Sequence, residues 1–209
     1  MLNFTVIPIT PLKQNSTLIW DSKTKEAVLT DVGGEVDHLL EIVRNNYLNL
    51  KAVWLTHGHF DHVGGVALLK KHCQVPILGP NQKDEFLLEH LPETAANYHF
   101  PKTETFEPTQ WLKDGDVVSV GNFEFKVMHI PGHTPGSVVY YCKDAKLLVA
   151  GDVLFRESIG RSDFPRGDGK ALLQGIREKL FVLPKDTRVI TGHGALTTIG
   201  HEIEHNPFF

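Results

Sequence analysis

The chain has 209 residues, of which 41% are hydrophobic and 22% charged, and its formal net charge is -4. This length is enough for a domain with its own core, and the composition excludes a disordered or collagen-like chain. No run of about 18 apolar residues indicates a membrane span, and no dense basic cluster indicates a nucleic-acid partner. The 12 histidines, set against only 2 cysteines, point to imidazole ligands.

Short runs of β-forming residues open the chain, and strands then alternate with helices. The strands predicted in the first half are 4–9, 17–20, 27–30, 51–56 and 75–78. The helices predicted there are 35–46, 63–72 and 82–91. Pro92 should close the third helix, because proline cannot continue a helix interior. We expect 92–108 to be an irregular loop, either mobile or facing the substrate.

The second half repeats the same alternation of strands and helices. Its predicted strands are 117–120, 123–130, 138–142, 146–150 and 188–191, and its predicted helix is 170–180. No flexible linker separates the halves, so we expect one domain over 1–209. The fold class is predicted to be α/β (α+β), with two mixed sheets packed face to face and helices outside them.

Four segments share one construction, in which an apolar strand leads into a glycine-containing turn that carries a side chain able to bind metal. The side chains in these positions are His57, His59, Asp61, His62, His133, Asp152 and His193. In layered α/β proteins, functional side chains gather just beyond the ends of strands. We therefore expect these side chains to meet in one pocket.

Imidazole and carboxylate groups without a thiolate suit zinc, iron or manganese. The donors exceed what one tetrahedral ion needs, and they fit two ions about 3.5 to 4 Å apart that share a carboxylate. The sequence therefore predicts two divalent metal ions, with zinc favoured over iron or manganese. Asp152 could instead cap a following helix, which is a common role for aspartate.

The H-x-H-x-D-H spacing at 57–62 resembles the signature of the metallo-β-lactamase superfamily. The resemblance implies a four-layer αββα sandwich. It also implies one metal bound by His57, His59 and His133, a second bound by Asp61, His62 and His193, and Asp152 as the bridge. Asp61 and Asp152 would be the catalytic residues, acting with a hydroxide held by the metals.

Within that superfamily the chain is similar to the glyoxalase II group, the hydroxyacylglutathione hydrolases, and to its short bacterial GloC-like or YcbL-like type. The similarity lies in the segment 160–168 (GRSDFPRGD) and in the tail 192–208. It implies a small-molecule thioester substrate, S-lactoylglutathione, hydrolysed to D-lactate and glutathione in methylglyoxal detoxification. Longer members have a C-terminal helical domain that supplies much of the glutathione site, and here only 194–209 follow His193, so none is expected. Arg161 would receive a substrate carboxylate or form a structural salt bridge.

Other functions stay open at this point. A mono-iron persulfide dioxygenase has a similar Gly-Arg-x-Asp loop but uses a two-His-one-carboxylate site, and a non-catalytic metal-binding or regulatory protein is a different class altogether. A periplasmic β-lactamase would need an export signal, and the N-terminus shows none, so the cytoplasm is the expected location, without membrane association. Cys73 and Cys142 are assigned no chemistry. The oligomeric state is left open, a monomer included.

Overall fold

Two mixed β-sheets form the centre of the computed structural model, which describes residues 1–209. The strands of the first sheet, β1 to β5 in both chain and spatial order, are Leu2–Ile9, Gln14–Asp21, Glu26–Thr30, Asn49–Trp54 and Ile77–Leu78. In this sheet β1, β2 and β3 pair antiparallel, whereas β3, β4 and β5 run parallel. The parallel strands therefore deliver their carboxyl ends to the same edge.

The second sheet and a small hairpin contain the remaining strands. In chain order β6 to β13 are Val117–Val120, Phe123–His129, Val138–Cys142, Leu147–Gly151, Leu154–Phe155, Ser158–Ile159, Arg188–Thr191 and Thr197–Thr198. The second sheet has the order β13-β12-β9-β8-β7-β6, and β10 pairs with β11 separately. Within it β9 and β12 run parallel, and the other neighbours pair antiparallel.

Helices cover the outer faces of both sheets. In chain order α1 to α7 are Val36–Asn45, Phe60–Val63, Val66–His72, Glu85–Glu89, Leu91–Asn97, Gly169–Gly175 and Ile199–His205. A 3-10 turn at Gln82–Asp84 precedes α4, and a π-helical turn at Ile176–Leu180 follows α6. None of these helices combines the length and the apolar character needed to cross a membrane.

The core is divided into three apolar layers by the two sheets. One layer packs α1 to α5 against the first sheet, one lies between the sheets, and one packs α6 and α7 against the second sheet. Successive strand residues serve different layers, as Leu18 faces the helices and Ile19 faces the other sheet. Strands buried on both faces explain the continuous apolar runs in the sequence. The predicted α/β class and the two face-to-face sheets are confirmed.

Aromatic side chains fill the layer between the sheets. Trp54 of the first sheet stacks on Tyr140 of the second, with ring centroids 5.3 Å apart, and meets the edge of Phe125 at 5.0 Å. The Tyr140 hydroxyl donates a 2.6 Å hydrogen bond to the Leu55 carbonyl oxygen, just beyond β4. This packing fixes the distance between the two sheets close to the place where β4 ends.

The prediction of one helix over 63–72 is wrong, because the structure has two separate helices in this region. Phe60–Val63 is already helical, and Gly64 and Gly65 interrupt the chain before Val66–His72. The Gly65 amide donates to Val32 outside the helix rather than within it. A side chain at Gly64 would also have a Cβ only 2.6 Å from the Phe60 carbonyl oxygen.

The role predicted for Pro92 is also wrong. Pro92 lies in the first turn of Leu91–Asn97, so it begins a helix instead of closing one. The first turn of a helix has amides without intrahelical partners, so the missing N–H costs nothing there. The irregular segment is accordingly shorter than the predicted 92–108.

Asp21, at the end of β2, joins the two sheets at the edge remote from the predicted site. Its buried carboxylate accepts hydrogen bonds from the Lys23 amide at 2.9 Å and from the amide and side chain of Asn122 at 3.1 and 2.8 Å. These bonds, that from Lys23 first, lower the pKa of Asp21 from 3.8 to about 2. Asn122 lies in the turn between β6 and β7, so the carboxylate connects both sheets.

The substitution Asp21→Asn should remove part of the acid sensitivity of folding. A carboxylate whose pKa is depressed in the folded state contributes stability above its unfolded pKa of about 3.8, and that stability is lost as the pH falls toward 2. The free energy of unfolding of the wild type, measured by urea denaturation, should therefore exceed that of the variant at pH 7 and converge with it near pH 2. A constant difference over this range would contradict the interpretation.

Candidate metal centre

The seven predicted side chains all lie just beyond the carboxyl ends of four strands. His57, His59, Asp61 and His62 follow β4, and the last two belong to α2. The other three come from the second sheet, where His133, Asp152 and His193 follow β7, β9 and β12. Each turn is short, and the seven side chains come together from both sheets.

His57, His59 and His133 form what we call the first donor cluster. His59 Nδ1 lies 3.1 Å from His57 Nε2 and 3.0 Å from His133 Nε2. A tetrahedral ion with ligand distances of about 2.0 to 2.1 Å separates its nitrogens by a little over 3 Å. The three nitrogens are therefore placed as the ligands of one ion would be.

Asp61, His62 and His193 form the second donor cluster. The Nε2 atoms of His62 and His193 are 3.3 Å apart, and Asp61 Oδ2 lies 3.7 Å from the former and 3.2 Å from the latter. Like the first, this cluster combines side chains from both sheets. Its ligand atoms also lie close enough together to bind one ion.

Asp152 reaches both donor clusters. Its Oδ1 is 3.3 Å from His62 Nε2, and its Oδ2 is 3.4 Å from His133 Nε2. The chain continues from Asp152 into β10, so no helix begins there for the carboxylate to cap. Gly192 is required beside it, because a Cβ at that position would lie 1.9 Å from Asp152 Oδ1.

Outward hydrogen bonds leave the Nε2 atoms of four histidines directed into the pocket. The Nδ1 atoms of His62, His133 and His193 face oxygens that can only accept, namely Asp31 Oδ2 at 3.0 Å, the Arg161 carbonyl at 2.7 Å and the Leu12 carbonyl at 3.1 Å. Each of these rings must therefore donate its Nδ1–H outward. The Nε2 atom of each is then free to bind a cation.

His57 follows the same rule through an intermediate hydroxyl group. The Thr56 hydroxyl donates to Asp31 Oδ2 at 2.7 Å, so its oxygen accepts the Nδ1–H of His57 at 3.0 Å. One buried carboxylate thus determines the tautomers of two histidines, one in each donor cluster. Asp31 is not among the functional residues predicted from the sequence.

A buried carboxylate oxygen that lacks a hydrogen-bond partner indicates that the donor set fits metal ions. Asp152 Oδ1 is buried and makes no hydrogen bond. A buried carboxylate oxygen facing imidazole lone pairs is costly unless a cation compensates it. Histidine and aspartate donors without thiolate suit zinc, iron or manganese.

The two donor clusters differ in their electrostatics. Burial, reinforced by neighbouring imidazoles, holds the pKa of His57 well below its usual range and lowers the pKa of His59 to about 3. These rings are neutral at neutral pH, as metal ligands must be. Burial also opposes a charge on His62, but Asp152 and Asp61 raise the pKa of that ring well above its usual value. The second donor cluster therefore attracts positive charge more strongly than the first.

The segment 160–168 covers the first donor cluster. The Phe164 ring meets the ring of His59 with centroids 4.9 Å apart and that of His133 at 5.6 Å. The Arg161 guanidinium lies over the Phe164 ring, 4.6 Å from its centroid, and pairs with both carboxylate oxygens of Asp163, at 3.0 and 2.8 Å. The Arg161 side chain thus makes the structural salt bridge, while its backbone oxygen orients His133.

The substitution Asp31→Asn should weaken metal binding. The Thr56 amide donates to Oδ1 of Asp31, and the Thr56 hydroxyl and His62 donate to Oδ2, so the NH₂ group of an asparagine would face a donor on either side. Loss of an outer hydrogen-bond partner of metal-binding histidines costs about 10- to 100-fold in affinity. Competition of the protein with a chromophoric chelator measures this change. The control Asp37→Asn removes an exposed carboxylate of α1 and should leave the affinity unchanged. Equal affinities for the wild type and Asp31→Asn would contradict the role assigned to Asp31.

Comparison with known proteins connects this geometry to a family. The protein-family model described as the metallo-beta-lactamase superfamily matches residues 9–193 of this sequence. Hydroxyacylglutathione hydrolase GloC of Haemophilus influenzae is 45% identical over 208 residues, which cover 99% of this chain and 98% of that protein. The crystal structure of the BLEG-1 B3 metallo-beta-lactamase has a TM-score of 0.91 and 38% identity, with 99% of each chain covered. That of TTHA1623 in a di-iron-bound form has a TM-score of 0.90 and 36% identity, covering 98% of this chain and 100% of the other.

Proposed function

Because the chain belongs to the metallo-beta-lactamase superfamily, we propose that it is a hydroxyacylglutathione hydrolase that cleaves S-lactoylglutathione to D-lactate and glutathione. The observation that carries this proposal is the pair of donor clusters joined by Asp152, in a chain that aligns over nearly its whole length with GloC. That arrangement suits attack of water on an activated carbonyl.

We assign one divalent ion to each donor cluster, with Asp152 as the shared ligand and zinc favoured over iron or manganese. The di-iron form of TTHA1623 supports two ions in this fold and leaves the choice of metal open. Ions at these positions would lower the pKa of a water to about 7 and polarise the thioester carbonyl.

The side chains of the pocket orient and enclose the reactants. The Asp61 carboxylate, whose pKa the neighbouring His62 and His193 lower despite burial, stays ionised at neutral pH and can accept a hydrogen bond from the attacking water. Phe164 excludes bulk water from the side of the first donor cluster. A thiolate leaving group with a pKa near about 8.5 needs no strong acid.

Arg161 is proposed as a contact for a carboxylate of the substrate. Its side chain is 69% exposed at the pocket rim and is held by Asp163, which is 68% exposed. An exposed pair of this kind contributes little stability, so an incoming carboxylate can replace Asp163 at small cost.

A second candidate function is β-lactam hydrolysis. It is favoured by the similarity to BLEG-1, which is described as a B3 metallo-beta-lactamase. A mono-iron persulfide dioxygenase fits the structure less well, because Asp61, His62 and His193 form a second complete set of ligands.

Protein purified without added metal or chelator should contain about two equivalents of zinc, iron or manganese per chain, because two donor clusters are present. Elemental analysis by mass spectrometry measures this content. A reproducible maximum of one equivalent, even after metal supplementation, would contradict the two-ion proposal and favour the mono-iron alternative.

Among S-lactoylglutathione, a β-lactam, an acyl-homoserine lactone, and glutathione persulfide with oxygen, the thioester should give the highest kcat/KM. Asp152→Ala should lower that value by about 100- to 1,000-fold, the scale of losing one preorganised electrostatic group. The control Asp186→Asn removes an exposed carboxylate that pairs with Lys146 and should retain full activity. Faster turnover of the β-lactam would select the second candidate, and oxygen consumption with persulfide but no thioester cleavage would overturn the proposed function.

A further inference from the structure

Asp84 is a fully buried carboxylate that lies outside the donor clusters and takes no part in the proposed chemistry. It ends the 3-10 turn before α4. Its Oδ2 accepts hydrogen bonds from the Gly58 amide and the Thr134 hydroxyl, both at 2.8 Å, and its Oδ1 accepts one from the Gly136 amide at 2.6 Å. No basic side chain pairs with it, so these donors alone compensate its charge.

The donors to Asp84 adjoin the first donor cluster on both sides. Gly58 separates His57 from His59 at the end of β4 in the first sheet. Thr134 directly follows His133, in the loop between β7 and β8 of the second sheet. One carboxylate therefore connects the two loops whose separation determines whether three imidazole nitrogens can meet.

The contact between these loops and Asp84 is close. A Cβ at Gly136 would lie 2.5 Å from Asp84 Cγ, and one at Gly58 would lie 3.3 Å from Asp84 Cβ. Gly136 thus allows the backbone to approach the carboxylate directly, and Gly58 allows it to approach the base of the Asp84 side chain. A shift of either loop would stretch the short hydrogen bonds that hold it.

The geometry requires a carboxylate rather than any polar group. Three donors converge on two oxygen atoms, and both oxygens are used. An asparagine would direct its NH₂ group either at the Gly136 amide or at the pair of donors on the other side. A buried donor facing another donor loses its hydrogen bond and keeps the cost of desolvation.

We propose that Asp84 is a positioning residue that holds the His57–His59 turn and the His133 loop at the separation the first donor cluster needs to bind its ion. This inference rests on the metal-binding part of the proposed function and is independent of the substrate. According to this inference, Asp84 affects the metal affinity of the first donor cluster alone. Asp31, in contrast, determines the tautomer of one histidine in each donor cluster.

The test is a titration of metal-free Asp84→Asn with cobalt(II), followed by visible absorption. Binding of the equivalent assigned to the first donor cluster should weaken by about 10- to 100-fold, the scale for an outer hydrogen-bond partner. The equivalent assigned to the second donor cluster should change much less. The matched control is Asp21→Asn, since Asp21 is another buried carboxylate with several donors, at the remote edge of the sheets. It should lower the melting temperature and leave both affinities unchanged.

Two further variants, each lacking one donor cluster, show which cluster's cobalt affinity depends on Asp84. In His193→Ala, which disables the second donor cluster, adding Asp84→Asn should still weaken cobalt binding. In His133→Ala, which disables the first, adding it should have little effect. Sites that act together are expected to show such non-additivity.

Wild-type affinities and spectrum in Asp84→Asn, with only a lower melting temperature as in the control, would overturn the proposal. If Asp84→Asn does not fold, Thr134→Val removes one of the three hydrogen bonds and should weaken the same equivalent by several-fold, with unchanged affinity again overturning the proposal. If the wild type itself binds no cobalt, the metal centre fails, and that outcome is distinct from a failure of Asp84 alone.

Discussion

Crowding of imidazole nitrogens in one buried pocket is the constraint on which the rest of the structure depends. The Nε2 atoms of His62 and His193 lie 3.3 Å apart, and this approach is favourable only when a cation, either a proton or a metal ion, lies beside them. The chain imposes this arrangement by holding four of the five rings from their outer sides. The acceptors that do so, Asp31 and the Arg161 and Leu12 carbonyl oxygens, come from widely separated parts of the sequence.

The sandwich supplies the rigidity that this arrangement requires. The Val138 amide donates to the Thr56 carbonyl oxygen at 2.8 Å, and the Asn15 amide donates to that of Gly192 at 2.7 Å, so backbone hydrogen bonds connect the sheets beside the pocket. The stacked rings of Trp54 and Tyr140 fill the layer beneath. A close-packed layer between sheets resists change in their spacing, and the ligand separations follow from that spacing.

The sequence predicted ten of the thirteen strands and pointed to the candidate ligands because both depend on local patterns, whereas the two-residue strands β10, β11 and β13 were not predicted. Apolar runs ending at glycine and histidine are visible without knowledge of the fold. Asp31 and Asp84 could not be found in this way, since their partners lie 25 or more residues away and are mostly backbone amides or hydroxyls. Pro92 was misjudged for a related reason, because a proline that ends one helix and a proline that begins the next have the same sequence signal.

Each donor cluster combines side chains from both sheets, and this has a consequence for how the protein folds. Neither sheet alone can assemble a cluster, so the proposed ions can bind only after the sheets have docked. Their binding free energy then belongs to the docked state and adds to its stability according to the free metal concentration. The free metal concentration would therefore determine the fraction of molecules in which the two sheets are separated. Proteolysis of that open form would become slower as the metal concentration rises.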